Sequence, residues 1–121
     1  MHYIGIDIIE IARIEKAIDR WGKSFLHRVY TDAELAAYHK HPSSLAARFA
    51  GKEAVIKALG IANKGVGLKE IEILSDSKGK PVVHLYGKMQ NQASNLGLGH
   101  IGISLSHSKE YAIALVAGEA E

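Results

Sequence analysis

Glu70-Ile71-Glu72-Ile73-Leu74 and Pro81-Val82-Val83-His84-Leu85-Tyr86 are two apolar, β-branched runs that flank the turn-forming stretch Asp76-Ser77-Lys78-Gly79-Lys80. That is the pattern of a β-hairpin. It also divides the chain. Ahead of it lies one strand, residues 3–9 (Tyr-Ile-Gly-Ile-Asp-Ile-Ile), which reads as buried and carries Asp7 near its end. From Glu10 the spacing changes to that of an amphipathic helix, with Ile11, Ile14, Ile18, Trp21 and Phe25 recurring at threes and fours. Gly22 ends that helix and Ser24 can cap a short successor. Thr31-Asp32-Ala33-Glu34 is a capping box that opens a helix through about Lys40, closed by His41-Pro42. The longest helix runs from a Ser43 or Ser44 cap through Leu59 to Gly60. Beyond the hairpin, a helix over about 88–96 precedes strands at 101–107 and 112–118, joined by a turn from Ser108 to Tyr111. Helices grouped apart from hairpin-connected strands imply an α+β fold with a mainly antiparallel sheet.

The 121 residues are 47% hydrophobic and 23% charged, with no repeat or linker, so one domain spanning 1–121 is expected. With no cysteine there is no disulfide, thiolate metal site or thiol nucleophile. No apolar run reaches the ~18 residues of a membrane span, and the N-terminus lacks a signal-peptide pattern. A cytoplasmic protein with no membrane partner is the expectation. Fifteen basic and thirteen acidic side chains leave a net charge of +2, too balanced to argue for nucleic acid. Tyr3, Tyr86 and Tyr111 are too dispersed to form a stacking platform for bases.

The chemistry-bearing residues lie in three segments. In Arg48-Phe49-Ala50-Gly51-Lys52-Glu53-Ala54-Val55-Ile56-Lys57, steps of 100° put Arg48 and Lys52 on one flank of an apolar stripe and Glu53 with Lys57 on the other. Glu53 and Lys57 have the favourable order for an exposed pair, whereas Arg48 and Lys52 repel unless an anion or carboxylate lies nearby. Gly51 costs about 1 kcal/mol relative to alanine in a helix interior, which suggests a close approach to the backbone there. Asp7, set between isoleucines, either caps the following helix or meets a cation; with Glu53 it forms the carboxylate pair that a hard metal accepts. In Ser104-Leu105-Ser106-His107-Ser108 the hydroxyls and imidazole suit an anion. Adjacent strand residues face opposite ways, so His107 is badly placed to activate Ser106. The seven histidines show no helical metal-binding pair. The loop from Gly60 to Gly67, carrying Lys64 among small residues, could admit a phosphate or could be a plain connector.

Three of these segments together resemble one family across nearly the whole chain. Ile4-Gly5-Ile6-Asp7-Ile8 is similar to the first motif of the 4′-phosphopantetheinyl transferases. Phe49-Ala50-Gly51-Lys52-Glu53-Ala54 with Lys57 is similar to the second, and Ser104 to Ser108 to the strand-end segment of the short subclass. The resemblance implies that fold and the transfer of the phosphopantetheine arm of coenzyme A to a serine of acyl carrier protein in fatty acid biosynthesis, with release of adenosine 3′,5′-bisphosphate. It implies that Asp7 and Glu53 hold Mg²⁺ against the pyrophosphate, with Lys57 as part of the electrostatic clamp. Glu53 or a metal-bound water takes the serine proton, and the sequence leaves the two open. Arg48, Lys52, Lys64 and His107 are candidates for the coenzyme phosphates. The subclass is homotrimeric with sites at subunit interfaces, which would put Arg48 in a neighbour's site.

The first long helix bears on the partner. Arg13, Lys16 and Arg20 fall on one side of its wheel, and residues 13–28 hold five cations and two acids, a local excess of +3 that exceeds the net charge of the whole chain. Such a stripe is either a solvated face or a dock for an acidic protein. The resemblance favours acyl carrier protein, with Arg13, Arg20, Phe25 and Arg28 as contacts.

Overall fold

The computed structural model of the chain describes residues 2–61 and 67–120. The order is β1 (His2–Glu10), α1 (Ile11–Trp21), α2 (Lys23–Val29), α3 (Asp32–Tyr38), α4 (Pro42–Leu59), a 3-10 turn (Leu68–Glu70), β2 (Ile71–Ser75), β3 (Pro81–Leu85), α5 (Gly87–Asn95), β4 (Leu98–His107) and β5 (Tyr111–Ala120). The α+β expectation holds. β2 and β3 form the hairpin, and a second antiparallel sheet has the order β1-β5-β4.

Local chemistry explains most helix boundaries. Gly22, at φ +53°, breaks the chain between α1 and α2, and it stands where Ser24 was expected to cap α2. The capping box at α3 forms as expected: the Glu34 N–H donates to Thr31 Oγ1 at 3.2 Å and the Thr31 N–H to Glu34 Oε1 at 2.9 Å. α3 ends at Tyr38, two residues short of the end expected at about Lys40 before His41-Pro42. α4 starts at Pro42 rather than after Ser43 or Ser44, because proline lacks only an N–H that the first turn leaves unbonded anyway. Gly60 closes α4 in the left-handed conformation, at φ +67°.

α4 lies against the three-stranded sheet, with Leu45, Ala50, Ala54, Val55 and Leu59 buried beneath it. Two glycines permit that contact. A methyl group on Gly5 would collide with the Ala54 carbonyl, and one on Gly51 would lie 2.5 Å from Ile73 Cδ1 and 3.1 Å from Ile103 Cδ1. The close approach expected at Gly51 is therefore made by the chain's own core.

β1 departs from the expectation of a strand buried on both faces. It is an edge strand, and only Gly5, Ile9 and their neighbours on that face turn toward the helices. Ile4, Ile6 and Ile8 are 64%, 54% and 60% exposed on the other face. Register places Ile6 opposite Leu115, itself exposed, and Ile8 opposite Ile113, so one side of the sheet is an apolar surface open to solvent.

Candidate active site

The C-terminal half of β1 brings Asp7 to the side of the sheet that α4 covers. Its Oδ1 accepts a hydrogen bond from Lys57 Nζ at 2.8 Å, and Lys57 also donates to the Ile6 carbonyl at 3.1 Å. Asp7 is thus tied to α4 and does not cap α1, whose N-cap residue Glu10 makes no side-chain capping bond either. The Asp7 side chain retains 19% of its exposure and Lys57 56%, so the pair borders solvent. The hydrogen bond and charge of Asp7, with a smaller contribution from Glu53, hold Lys57 above the usual lysine range.

Glu53 stands one turn before Lys57 and lines the same cleft as Asp7, a depression of about 550 Å³. α1 forms the opposite wall with Arg13, Lys16 and Arg20, while Trp21, Phe25 and Phe49 supply apolar surface. Two carboxylates and a row of cations therefore face a common space. This is a place for an anionic substrate whose charge has to be balanced locally.

The proposed phosphate contacts separate. Lys52 is completely buried and donates to Glu34 Oε1 at 2.7 Å, to Leu68 O at 3.0 Å and to Ile71 O at 2.5 Å. All three ammonium hydrogens are used inside the protein, so the expectation that Lys52 binds coenzyme phosphates is corrected. Burial pushes this amine down from its ordinary value, and Glu34 opposes that shift. Arg48 is 7% exposed, lies 3.7 Å over the Tyr38 ring and donates to Ser75 Oγ at 3.1 Å. It does not line the cleft of its own chain. His107 is exposed at the end of β4, and Ala112 of β5 lies opposite both it and Ile9, which puts it at the Asp7 end of the sheet, two strand spacings from β1. Lys64 lies outside the described residues.

Of the partner-binding candidates, Arg13, Arg20 and Arg28 are exposed. Phe25 is only 9% exposed and packs edge-on against Tyr30, so it is part of the cleft floor and core rather than a free contact. Trp21, which the periodicity assigned to the apolar side of α1, is 51% exposed with the Arg20 guanidinium 5.0 Å from its ring centre. It is the last residue of α1, beyond the reach of the core, and only that position could have signalled its exposure.

An antiparallel sheet backed by a long helix, with an acidic pair facing a basic wall, defines a small α+β protein suited to phosphate chemistry. The sequence profile described as the 4′-phosphopantetheinyl transferase superfamily matches residues 3–116, and the chain belongs to that family. It is 51% identical over 119 residues to the holo-[acyl-carrier-protein] synthase of a Dehalococcoides mccartyi strain, covering 98% of this chain and 99% of the relative. The corresponding protein of Herpetosiphon aurantiacus is 47% identical over 121 residues, 94% of this chain and 95% of that one. Among solved structures, the Helicobacter pylori holo-[acyl-carrier-protein] synthase in complex with coenzyme A superposes with a TM-score of 0.86 at 34% identity, over 96% of this chain and 99% of that chain. The Neisseria meningitidis synthase gives 0.89 at 32%, over 98% and 99%.

Proposed function

We propose that this chain transfers the 4′-phosphopantetheine group of coenzyme A to a serine of apo acyl carrier protein, releasing adenosine 3′,5′-bisphosphate. The observation that carries the reading is the single cleft in which Asp7 and Glu53 meet the cationic face of α1. The identity to holo-[acyl-carrier-protein] synthases, one of them solved with coenzyme A, supports it over the full chain.

The reaction forms a bond from the serine oxygen to the phosphorus that carries pantetheine and breaks the bond from that phosphorus to the bridging pyrophosphate oxygen. Charge balance and alignment matter more here than a covalent intermediate. Asp7 and Glu53 are hard oxygen donors in one cleft, a set that fits Mg²⁺ completed by water and substrate oxygens. Asp7 and Glu53 would hold such a cation, with Lys57 bonded to Asp7 beside it. When bound, the metal supplies positive charge to the pyrophosphate. Lys57 adds a fixed cation beside Asp7. Glu53, or a water in the cleft, receives the serine proton. Arg13 and Arg20 steer the acidic carrier protein, and Trp21 offers it an exposed aromatic edge.

The exposed face of Ile4, Ile6, Ile8 and Leu115 supports a homotrimer in which copies cover one another's sheets. His107, outside the cleft of its own chain, would then serve a neighbour's site, whereas the expectation that Arg48 does so is corrected, because its guanidinium is already held by Ser75, the Ile73 carbonyl and the Tyr38 ring. A single-domain enzyme of fatty acid biosynthesis in the cytoplasm is consistent with this reading.

Incubation with coenzyme A, apo carrier protein and Mg²⁺ should add one phosphopantetheine to the carrier serine, read by mass spectrometry, and chelation should abolish the gain. No mass gain with any divalent metal would leave a binding module for acidic proteins as the better reading.

A further inference from the structure

Among the described residues β2 has one strand neighbour, β3, so alternate residues of β2 turn their peptide groups toward an edge where no described strand lies. Side chains occupy that edge. Lys52 donates to Ile71 O, the Ile73 N–H donates to Glu34 Oε2 at 2.8 Å, Arg48 Nε donates to Ile73 O at 3.4 Å, and the Ser75 N–H donates to the Tyr38 hydroxyl at 3.1 Å. Two pairs at i, i+4 spacing, Arg48 and Lys52 from α4 with Glu34 and Tyr38 from α3, together stand in for a third strand.

That arrangement grips α4 at two points one turn apart, which fixes its slide along its axis and its roll about it. Glu53 is about 100° around the helix from Lys52, so it faces the cleft only while Lys52 faces β2. At a side-chain radius of about 6 Å, a roll of about 10° moves a carboxylate by about 1 Å, and misplacement on that scale can cost on the order of 10²-fold in rate. Neither Lys52 nor Glu34 lines the cleft, and both are fully buried. Any effect they have on the chemistry passes through α4.

We propose that the buried Lys52–Glu34 pair is a positioning device for phosphopantetheine transfer, setting the roll of α4 that presents Glu53 and Lys57 to Asp7. It rests on the transferase reading and assigns to Lys52 a role distinct from contact with the coenzyme. The test compares Lys52→Met with the nearly isosteric Glu34→Gln, measuring kcat and KM for coenzyme A per folded molecule, with the folded fraction taken from circular dichroism at the assay temperature. Both variants should lose tenfold or more in kcat with KM for coenzyme A within about twofold, and the double variant should be no worse than the poorer single. If Lys52→Met does not fold, Glu34→Gln decides alone. Unchanged kcat per folded molecule would overturn the proposal and leave the pair a stabilising one only. A raised KM with kcat intact would overturn it in favour of a direct coenzyme contact. A wild-type protein without transfer activity would instead sink the underlying transferase reading, which separates the two failures.

Discussion

Each flank of α4 carries a lysine four residues after another charged side chain, and the two flanks use that lysine in opposite ways. Toward β2, Arg48 and Lys52 are buried and spend their donors on backbone carbonyls, Glu34 and Ser75. Toward the cleft, Glu53 and Lys57 border solvent, and Lys57 bonds to Asp7 at the edge of a space large enough for a substrate. The amines respond in opposite directions: burial lowers Lys52, and the neighbouring carboxylate raises Lys57. A lysine four residues from another charge is therefore not a functional signal in itself. What decides its use is whether the surface it faces is already closed.

Three measurements would break or sharpen that contrast. The largest effect sets stability against activity at the two lysines. Removing one partner of a buried pair costs about 3–5 kcal/mol, so Lys52→Met should lower the urea unfolding midpoint strongly, whereas Lys57→Met should leave it nearly unchanged and reduce transfer tenfold or more. Equal losses of stability at the two sites would erase the distinction. Next in size is the carrier-protein dock: charge reversal at Arg13 and Arg20 should raise KM for the carrier about tenfold at low salt, with the defect shrinking as salt rises. An unchanged KM would remove α1 from the docking surface.

The smallest effect concerns pH. The folded-state pKa of Lys57 is raised, so its pairing with Asp7 contributes stability that is fully present below the ordinary lysine pKa and is lost as pH rises through the higher folded value. The small stability difference between wild type and Lys57→Met should thus be flat from pH 6 to 9 and fade only in strongly alkaline solution. A difference that faded near pH 7 would contradict the ion pair.

The helix periods, the Thr31 capping box and the hairpin around Gly79 were legible in the sequence because each is set by residues within a few positions of one another. So was the pairing of Asp7 with Glu53, which line one cleft, since their residue types and positions matched a family pattern. The fate of Lys52 was not legible, because its partner Glu34 is 18 residues away on another helix. Nor was the edge position of β1. Residues 3–9 are apolar on both faces, and alternation cannot say which face a helix covers.

By itself the sequence determined the α+β class, the order of elements and the charged residues available for chemistry, because periodicity, capping and composition act over short stretches of chain. Only the tertiary structure decided which of those charges are spent inside the fold. Packing α3, α4 and β2 together closes one flank of α4 around Arg48 and Lys52, and packing α1 and β1 beside the other leaves Asp7, Glu53 and Lys57 facing open space. Burial is a property of surfaces that meet from distant parts of the chain, and burial is what separates a structural cation from a reactive one.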